Sequence, residues 1–141
     1  TNTGNKFLTA YRIRDSNIHM IELIGRVPTN GINYQHSFGL SEDYVAIFEH
    51  PINVNMFNEM ILGYDMLRSM IRDGTDTTKI HLMSTKDGSF KTHDSRIYFQ
   101  MIHTGNSFVK DGKFICDATI YQDSTHDVYE VFEFKNLKQG V

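Results

Sequence analysis

Seven histidines are the residues of this chain best suited to hold a metal ion or to transfer protons near neutral pH. Two of them interrupt apolar, strand-like runs: His36 in Y-Q-H-S-F-G-L and His103 in I-H-T-G-N. A buried imidazole without a partner costs about 1 to 3 kcal/mol, so each ring must be hydrogen-bonded or coordinated. Because residues so far apart in sequence do not form a metal motif by themselves, two interpretations stay open. They are core histidines bonded to carbonyl groups, or metal ligands.

The remaining polar residues are weaker candidates for chemistry. We expect the other histidines to be structural or exposed: His19, His50, His81, His93 and His126. Asp117 and Glu49 have no partner visible in the sequence and are expected to be solvated or to end strands, and the single cysteine, Cys116, to be a small core residue. No G-x-S-x-G elbow and no glycine-rich phosphate loop is present, which disfavours hydrolase and nucleotide-binding functions.

The composition is typical of a soluble globular protein. The chain has 141 residues, of which 40% are apolar and 22% charged, with a net charge of −3. This charge provides no basic field for nucleic acid, and no apolar run approaches the roughly 18 residues that span a bilayer. One cysteine cannot form an internal disulfide, so we expect a cytoplasmic protein. The first residue is Thr rather than Met, which suggests an excerpt of a longer protein.

Period-2 alternation of apolar and polar residues predicts a mostly β fold. We predict strands at residues 6–14, 18–27, 33–40, 44–49, 79–83, 96–103, 113–121 and 127–135. Residues 55–72 break this pattern and predict one amphipathic helix, since their apolar residues recur at three- and four-residue spacing. We expect its apolar face to pack on the core, and the strands after it to form one four-stranded sheet.

The run H-S-F-G-L-S-E-D-Y-V-A-I-F-E-H-P at residues 36–51 closely resembles the H-S-F-G-x-[ST]-x-[ND]-Y-[VI]-x-[FI]-x-E-x-P signature of the carotenoid cleavage oxygenases. A second landmark of that family is H-x-x-N and an aromatic residue, followed by an acidic turn and G-x-[LIF]-[IV]-x-D. Residues 103–108 and 111–117 match it. Two landmarks in the right order make a chance match improbable.

The resemblance implies part of a seven-bladed β-propeller, about two to three blades with one inserted helix, that spans residues 1–141 as one domain fragment. In this family four histidines hold one Fe(II) ion on the propeller axis, and His36 and His103 match two of them. The other two ligands would lie outside this chain. Members use O2 to cleave a carbon–carbon double bond of a carotenoid or apocarotenoid, giving retinal-like carbonyl products. Retinyl-ester isomerohydrolysis on the same iron and a non-catalytic lipid-binding propeller are the alternatives.

The resemblance also offers a second interpretation of the helix. In this family the corresponding insert lies near the mouth of the substrate tunnel and the membrane-contacting patch. Its apolar residues are then candidates for substrate or peripheral membrane contact: Met56, Phe57, Met60, Ile61 and Tyr64.

Overall fold

The structure, a computed structural model, describes residues 6–64, 69–72 and 77–121, which form mostly β-strands. In chain order the elements are β1 (Lys6–Arg14), β2 (Asn17–Thr29), β3 (Gly39–Leu40), β4 (Tyr44–Glu49), β5 (Ile52–Val54), α1 (Met56–Met60), β6 (Met70–Arg72), β7 (Lys79–Ser84), β8 (Phe90–Asp94), β9 (Gln100–Lys110) and β10 (Lys113–Tyr121). The prediction of a mostly β fold is confirmed.

The strands of the described residues form one four-stranded and three two-stranded antiparallel sheets. The larger sheet has the order β3-β4-β7-β8, and the pairs are β1-β2, β5-β6 and β9-β10. In the centre of the larger sheet Ala46 lies opposite Leu82 and Ile47 lies opposite His81. Within the described residues, the expectation of one sheet built from the strands after the helix is therefore wrong. β7 and β8 instead join β3 and β4, which precede the helix.

The four-stranded sheet is packed on both faces, because successive side chains of a strand point to opposite sides. On one face Val45 and Ile47 of β4 form a buried cluster with Val27 of β2 and with Met83. On the other face Ala46 and Phe48 pack against Phe99 and Met101, which lie next to and within β9. Each Val, Ile, Phe or Met side chain among these contributes about 1.5 to 3 kcal/mol when fully buried. The sheet thus lies between the β1-β2 hairpin and the β9-β10 hairpin.

The predicted helix is much shorter in the structure. It covers Met56–Met60, and the side chain of Asn55 caps it by accepting hydrogen bonds from the backbone N–H groups of residues 57 and 58. Gly63 has a φ of 65°, a left-handed conformation that a right-handed helix does not contain. Met70–Arg72 forms a strand, β6, that pairs with β5. Pairing with a neighbouring strand therefore overrides the helical spacing of residues 70 and 71.

Other predicted boundaries also change. In the predicted strand 33–40 only Gly39–Leu40 is a strand, and Asn33 makes one isolated bridge to Asn53. The strand predicted at 96–103 begins at Gln100 and continues to Lys110, while β8 was not predicted. All five residues of β8 are exposed, so no apolar alternation marks it in the sequence. The strand predicted at 127–135 lies outside the described residues.

Candidate metal centre

The fold brings His36 and His103 together. His36 lies in the irregular segment before β3, and His103 lies in β9. Their ring centroids are 5.0 Å apart, and the ring planes meet at 78°. Both side chains are exposed, so neither is packed in a hydrophobic core. The spacing lets a single ion contact a ring nitrogen of each histidine.

Tyr34 orients the ring of His36. Its hydroxyl lies 3.0 Å from Nδ1 of His36, and the two rings are stacked with centroids 6.1 Å apart and planes at 25°. A partner on Nδ1 leaves Nε2 as the nitrogen available for another contact.

Side-chain amides hold the segment that carries His36. The Nδ2 group of Asn33 donates to the carbonyl oxygens of His50 and Ile52, and Nε2 of Gln35 donates to the carbonyl oxygen of Phe48 at 2.7 Å. These bonds take the place of a backbone ladder, so the segment follows β4 without being a strand. The polarity of residues 33 and 35 within an apolar run is the sequence signal of this arrangement.

A hydrogen bond at Ser37 and close packing at Gly39 join residues 37–40 to the β9-β10 hairpin. The hydroxyl groups of Ser37 and Thr104, the residues after the two histidines, are 2.8 Å apart. At Gly39 a Cβ atom would lie 3.0 Å from Sγ of Cys116 and 3.1 Å from Oγ of Ser107. The glycine is therefore the residue that lets the hairpin approach β3 closely.

A buried polar pair lies in the same sheet and was missed from the sequence. Nε2 of His81 is 2.9 Å from Oε2 of Glu49, and Nδ1 of His81 is 2.9 Å from Oγ1 of Thr92. Burial raises the pKa of Glu49, but hydrogen bonds from His81 and from the backbone N–H of Asn30, with the charge of Lys79, outweigh it and leave that pKa below its usual value. Glu49 ends β4, one of the two positions expected for it, but it is buried and paired rather than solvated. Its partner lies on another strand, which no local spacing reveals.

The other predicted structural residues are mostly as expected. His50 is buried, and its Nδ1 lies 3.3 Å from the carbonyl oxygen of Phe99. Burial lowers the pKa of His50, and hydrogen bonds to the carbonyl groups of Phe99 and Met101 raise it by less. His19, His93 and Asp117 are exposed, and His126 lies outside the described residues. Cys116 is half-buried against the cluster of Ala46 and Phe48, as a small core residue would be.

The first five apolar residues of the predicted helix do not face the core. The exposed fractions of their side chains are 40% for Met56, 61% for Phe57, 73% for Met60, 67% for Ile61 and 43% for Tyr64. The expectation of a core-facing stripe is therefore wrong, since α1 and the turn after it present these residues to solvent. Within the described part of the chain no helix is long and apolar enough to cross a membrane.

A cavity of about 1170 Å³ lies beside His36, between the β1-β2 hairpin and the β3-β4 strands. Its walls are largely apolar and include Leu8, Ile13, Phe38 and Val45. Among the described residues there is no group of three or more His, Cys, Asp or Glu side chains that could hold a metal ion. The candidate centre in this part of the chain therefore consists of two imidazoles.

The sequence matches a known protein family over almost its whole length. Residues 1–140 fit the family model described as retinal pigment epithelial membrane protein. The chain therefore belongs to the carotenoid oxygenase family that this model represents.

Individual relatives agree with this assignment. The chain is 28% identical over 113 residues to the mouse beta,beta-carotene 15,15'-dioxygenase, an alignment that covers 76% of this chain and 19% of the mouse protein. It is 30% identical over 94 residues to the Drosophila melanogaster carotenoid isomerooxygenase, covering 64% of this chain and 15% of the fly protein. The chain thus spans less than a quarter of the length of these relatives.

The likeness extends to the fold. A cobalt-substituted form of the apocarotenoid oxygenase of Synechocystis superposes with a TM-score of 0.61 at 16% sequence identity, over 77% of this chain and 23% of that protein. A variant of the same enzyme superposes with a TM-score of 0.59 over 89% of this chain and 28% of that one.

Proposed function

We propose that His36 and His103 are two of the ligands of an Fe(II) ion in a carotenoid-cleaving dioxygenase. The observation that carries the proposal is the convergence of these two imidazoles, 5.0 Å apart, from the two sequence landmarks of the family. The matching relatives named as beta,beta-carotene dioxygenases support a carotenoid or apocarotenoid as the substrate. In the complete protein the remaining ligands come from outside this chain.

The two residues fit the requirements of such an ion. Neutral imidazole is a suitable ligand for Fe(II), and exposed rings leave their nitrogens accessible. A metal on Nε2 requires the tautomer of His36 that carries its proton on Nδ1, and in that tautomer Nδ1–H can donate to the hydroxyl oxygen of Tyr34, 3.0 Å away. When bound, the iron supplies the activation of O2, and both oxygen atoms are incorporated as the double bond is split into two carbonyl groups.

The rest of the described structure suits an apolar substrate and a propeller. The largely apolar cavity beside His36 provides walls that an isoprenoid chain can contact without losing hydrogen bonds to water. The four-stranded antiparallel sheet has the strand number of a propeller blade, and the flanking hairpins pack on its two faces as neighbouring blades do. We interpret the chain as parts of about two to three blades.

The metal assignment is tested by iron content in the complete protein. After anaerobic reconstitution with Fe(II), elemental analysis is expected to give about one iron per chain, and His36→Ala and His103→Ala are each expected to lose it, because a ligand is removed. His93→Ala, the same change at an exposed histidine of β8, is the matched control and is expected to retain iron. Iron content unchanged in both ligand variants would refute the assignment.

The reaction itself is tested with the same preparation. O2 uptake that matches the formation of carbonyl products from β-carotene is expected for the wild-type protein. Conversion of a retinyl ester without O2 uptake would replace the dioxygenase proposal by an isomerohydrolase on the same site.

A second proposal concerns α1 and the turn after it. We propose that this segment makes peripheral contact with membranes, from which a carotenoid could enter the protein, because five apolar side chains there are 40% to 73% exposed.

In flotation with phosphatidylcholine vesicles, Phe57→Ser with Met60→Ser is expected to reduce the bound fraction about tenfold or more, since each apolar side chain contributes about 1.5 to 3 kcal/mol on burial. Phe90→Ser, at a phenylalanine of β8 that is 40% exposed, is the control. Equal flotation of the double variant and the control would refute membrane contact through this segment.

A further inference from the structure

We propose that Ser37 and Thr104 are positioning residues that set the spacing of His36 and His103, and so the metal affinity of the centre. This inference rests on the proposed iron site. Each hydroxyl residue directly follows one of the candidate ligands in the chain. The link between them therefore acts one residue away from each imidazole.

The hydrogen bonds between these residues form a chain with one direction. The backbone N–H of Thr104 donates to Oγ of Ser37 at 3.2 Å, and Oγ1 of Thr104 donates to the carbonyl oxygen of Phe38 at 2.8 Å. The 2.8 Å contact between the two hydroxyl groups must then be donated by Ser37, because the proton of Thr104 is already used. Both hydroxyl protons are thus engaged, and bonds in such a chain strengthen one another.

No backbone ladder could replace this link. The His36 segment leads into β3 of the four-stranded sheet, whereas β9 belongs to the β9-β10 hairpin, so no strand pairing of the described structure joins the two ligand-bearing segments. In β9 successive side chains point to opposite faces, so the hydroxyl group of Thr104 lies on the other face of the strand from the imidazole of His103. Its link to Ser37 fixes the position of β9 relative to the His36 segment.

The test compares isosteric and conservative changes at Thr104 in the complete protein. Thr104→Val removes the hydroxyl but keeps the shape, and Thr104→Ser keeps the hydroxyl. Ser95→Ala is the matched control, because the hydroxyl that it removes donates to the carbonyl oxygen of Ile97 at 2.6 Å, outside the two segments that carry the histidines. The readouts are the Fe(II) dissociation constant from competition with a chelator, the visible spectrum of the Co(II)-loaded protein, and thermal unfolding of the metal-free protein.

Thr104→Val and Ser37→Ala are each expected to weaken Fe(II) binding about ten- to a hundredfold, as loss of a group that orients a ligand does. The double variant is expected to be no weaker than either single one, because both remove the same link. Both single variants should alter the Co(II) spectrum, whereas Thr104→Ser and Ser95→Ala should leave affinity and spectrum as in the wild type.

Affinity and spectrum unchanged in Thr104→Val would overturn the inference, as would equal losses of affinity in Thr104→Val and Ser95→Ala that follow their loss of thermal stability. The ligand variants distinguish failure of this inference from failure of the proposed iron site. If His36→Ala and His103→Ala lose iron but Thr104→Val does not, the inference fails and the iron site stands. If the ligand variants retain iron, the site itself fails.

Discussion

Gly39, the glycine of the H-S-F-G run, is required by close packing rather than by backbone conformation. A Cβ atom at this position would contact Cys116, Ser107 and Ala46 at 3.0 to 3.2 Å, which is tighter than ordinary van der Waals contact. The three contacts come from two sheets, since Ala46 lies in β4 while the other two lie in the β9-β10 hairpin. The residue therefore determines how near the hairpin, and with it His103, lies to the His36 segment.

Gly39→Ala is expected to destabilise the complete protein by about 1 to 3 kcal/mol, the usual cost of overpacking, and to weaken iron binding as the hairpin is displaced. Adding Cys116→Ala is expected to recover part of this loss, because the nearest contact is then removed. The measurements are urea unfolding and Fe(II) competition titration. Gly105→Ala is the matched control, because a Cβ there lies 3.5 Å or more from its neighbours. Equal stability changes at both glycines would contradict the packing argument.

His50 gives the protein a pH-dependent stability that can be isolated from that of Glu49. Burial lowers the pKa of His50 below the ordinary 6.5 of the unfolded chain, despite its backbone hydrogen bonds. As the pH falls below 6.5, His50 of the unfolded chain binds a proton while the buried ring of the folded protein stays neutral. The stability that depends on neutral His50 is therefore complete above pH 6.5 and is lost as the pH falls below it. Glu49 acts lower, because its reduced pKa stabilises the fold above 4.5 and that stability is lost only below this value.

As the pH is lowered from 6.5 to 4.5, the free energy of unfolding is therefore expected to decrease, by at most about 1.4 kcal/mol per pH unit for this one group. His50→Gln should flatten the slope in this window, and His93→Gln, at an exposed histidine of β8, should keep it. Urea denaturation across the pH range provides the measurement. A slope in His50→Gln equal to that of the wild type would assign the pH dependence to other groups.

Among the elements, β4 has the largest structural role. Its residues Val45 and Ile47 belong to the buried cluster on one face of the sheet. Ala46 and Phe48 belong to the cluster on the other face. Its last residue, Glu49, accepts the buried hydrogen bond from His81 of β7. The carbonyl of Phe48 accepts from Gln35 and so anchors the segment that carries His36. One buried strand therefore connects the core to the candidate centre.

Most strands follow the pattern of their own sequence, whereas residues 55–72 do not. Strands β1, β2, β4, β7 and β10 show period-2 alternation next to turn residues, and they occur at or near the predicted positions. Residues 55–72 show helical spacing, yet residues 70–72 form β6 because β5 offers an antiparallel partner. Local periodicity is a weak preference that a long-range strand pairing overrides.

At the scale of the whole molecule, the candidate centre arises between sheets rather than within one. His36 precedes the first strand of the four-stranded sheet, and His103 belongs to a hairpin that packs against Gly39, the first residue of that strand. The superposition on the Synechocystis apocarotenoid oxygenase, with a TM-score of 0.61, shows that this arrangement of sheets is shared with the relative despite 16% identity. Sheet packing thus sets the geometry in which the centre forms.

The sequence by itself determined the family and the mostly β character and singled out His36 and His103 as candidate ligands, because these depend on local motifs, alternation and side-chain chemistry. Only the tertiary structure decided that the strands on either side of the insert share one sheet, and that Glu49 pairs with His81. The same holds for the hydroxyl link between Ser37 and Thr104. Each of these features joins residues distant in sequence, and their partners are chosen by packing and hydrogen bonding across the sheets, which no local pattern encodes.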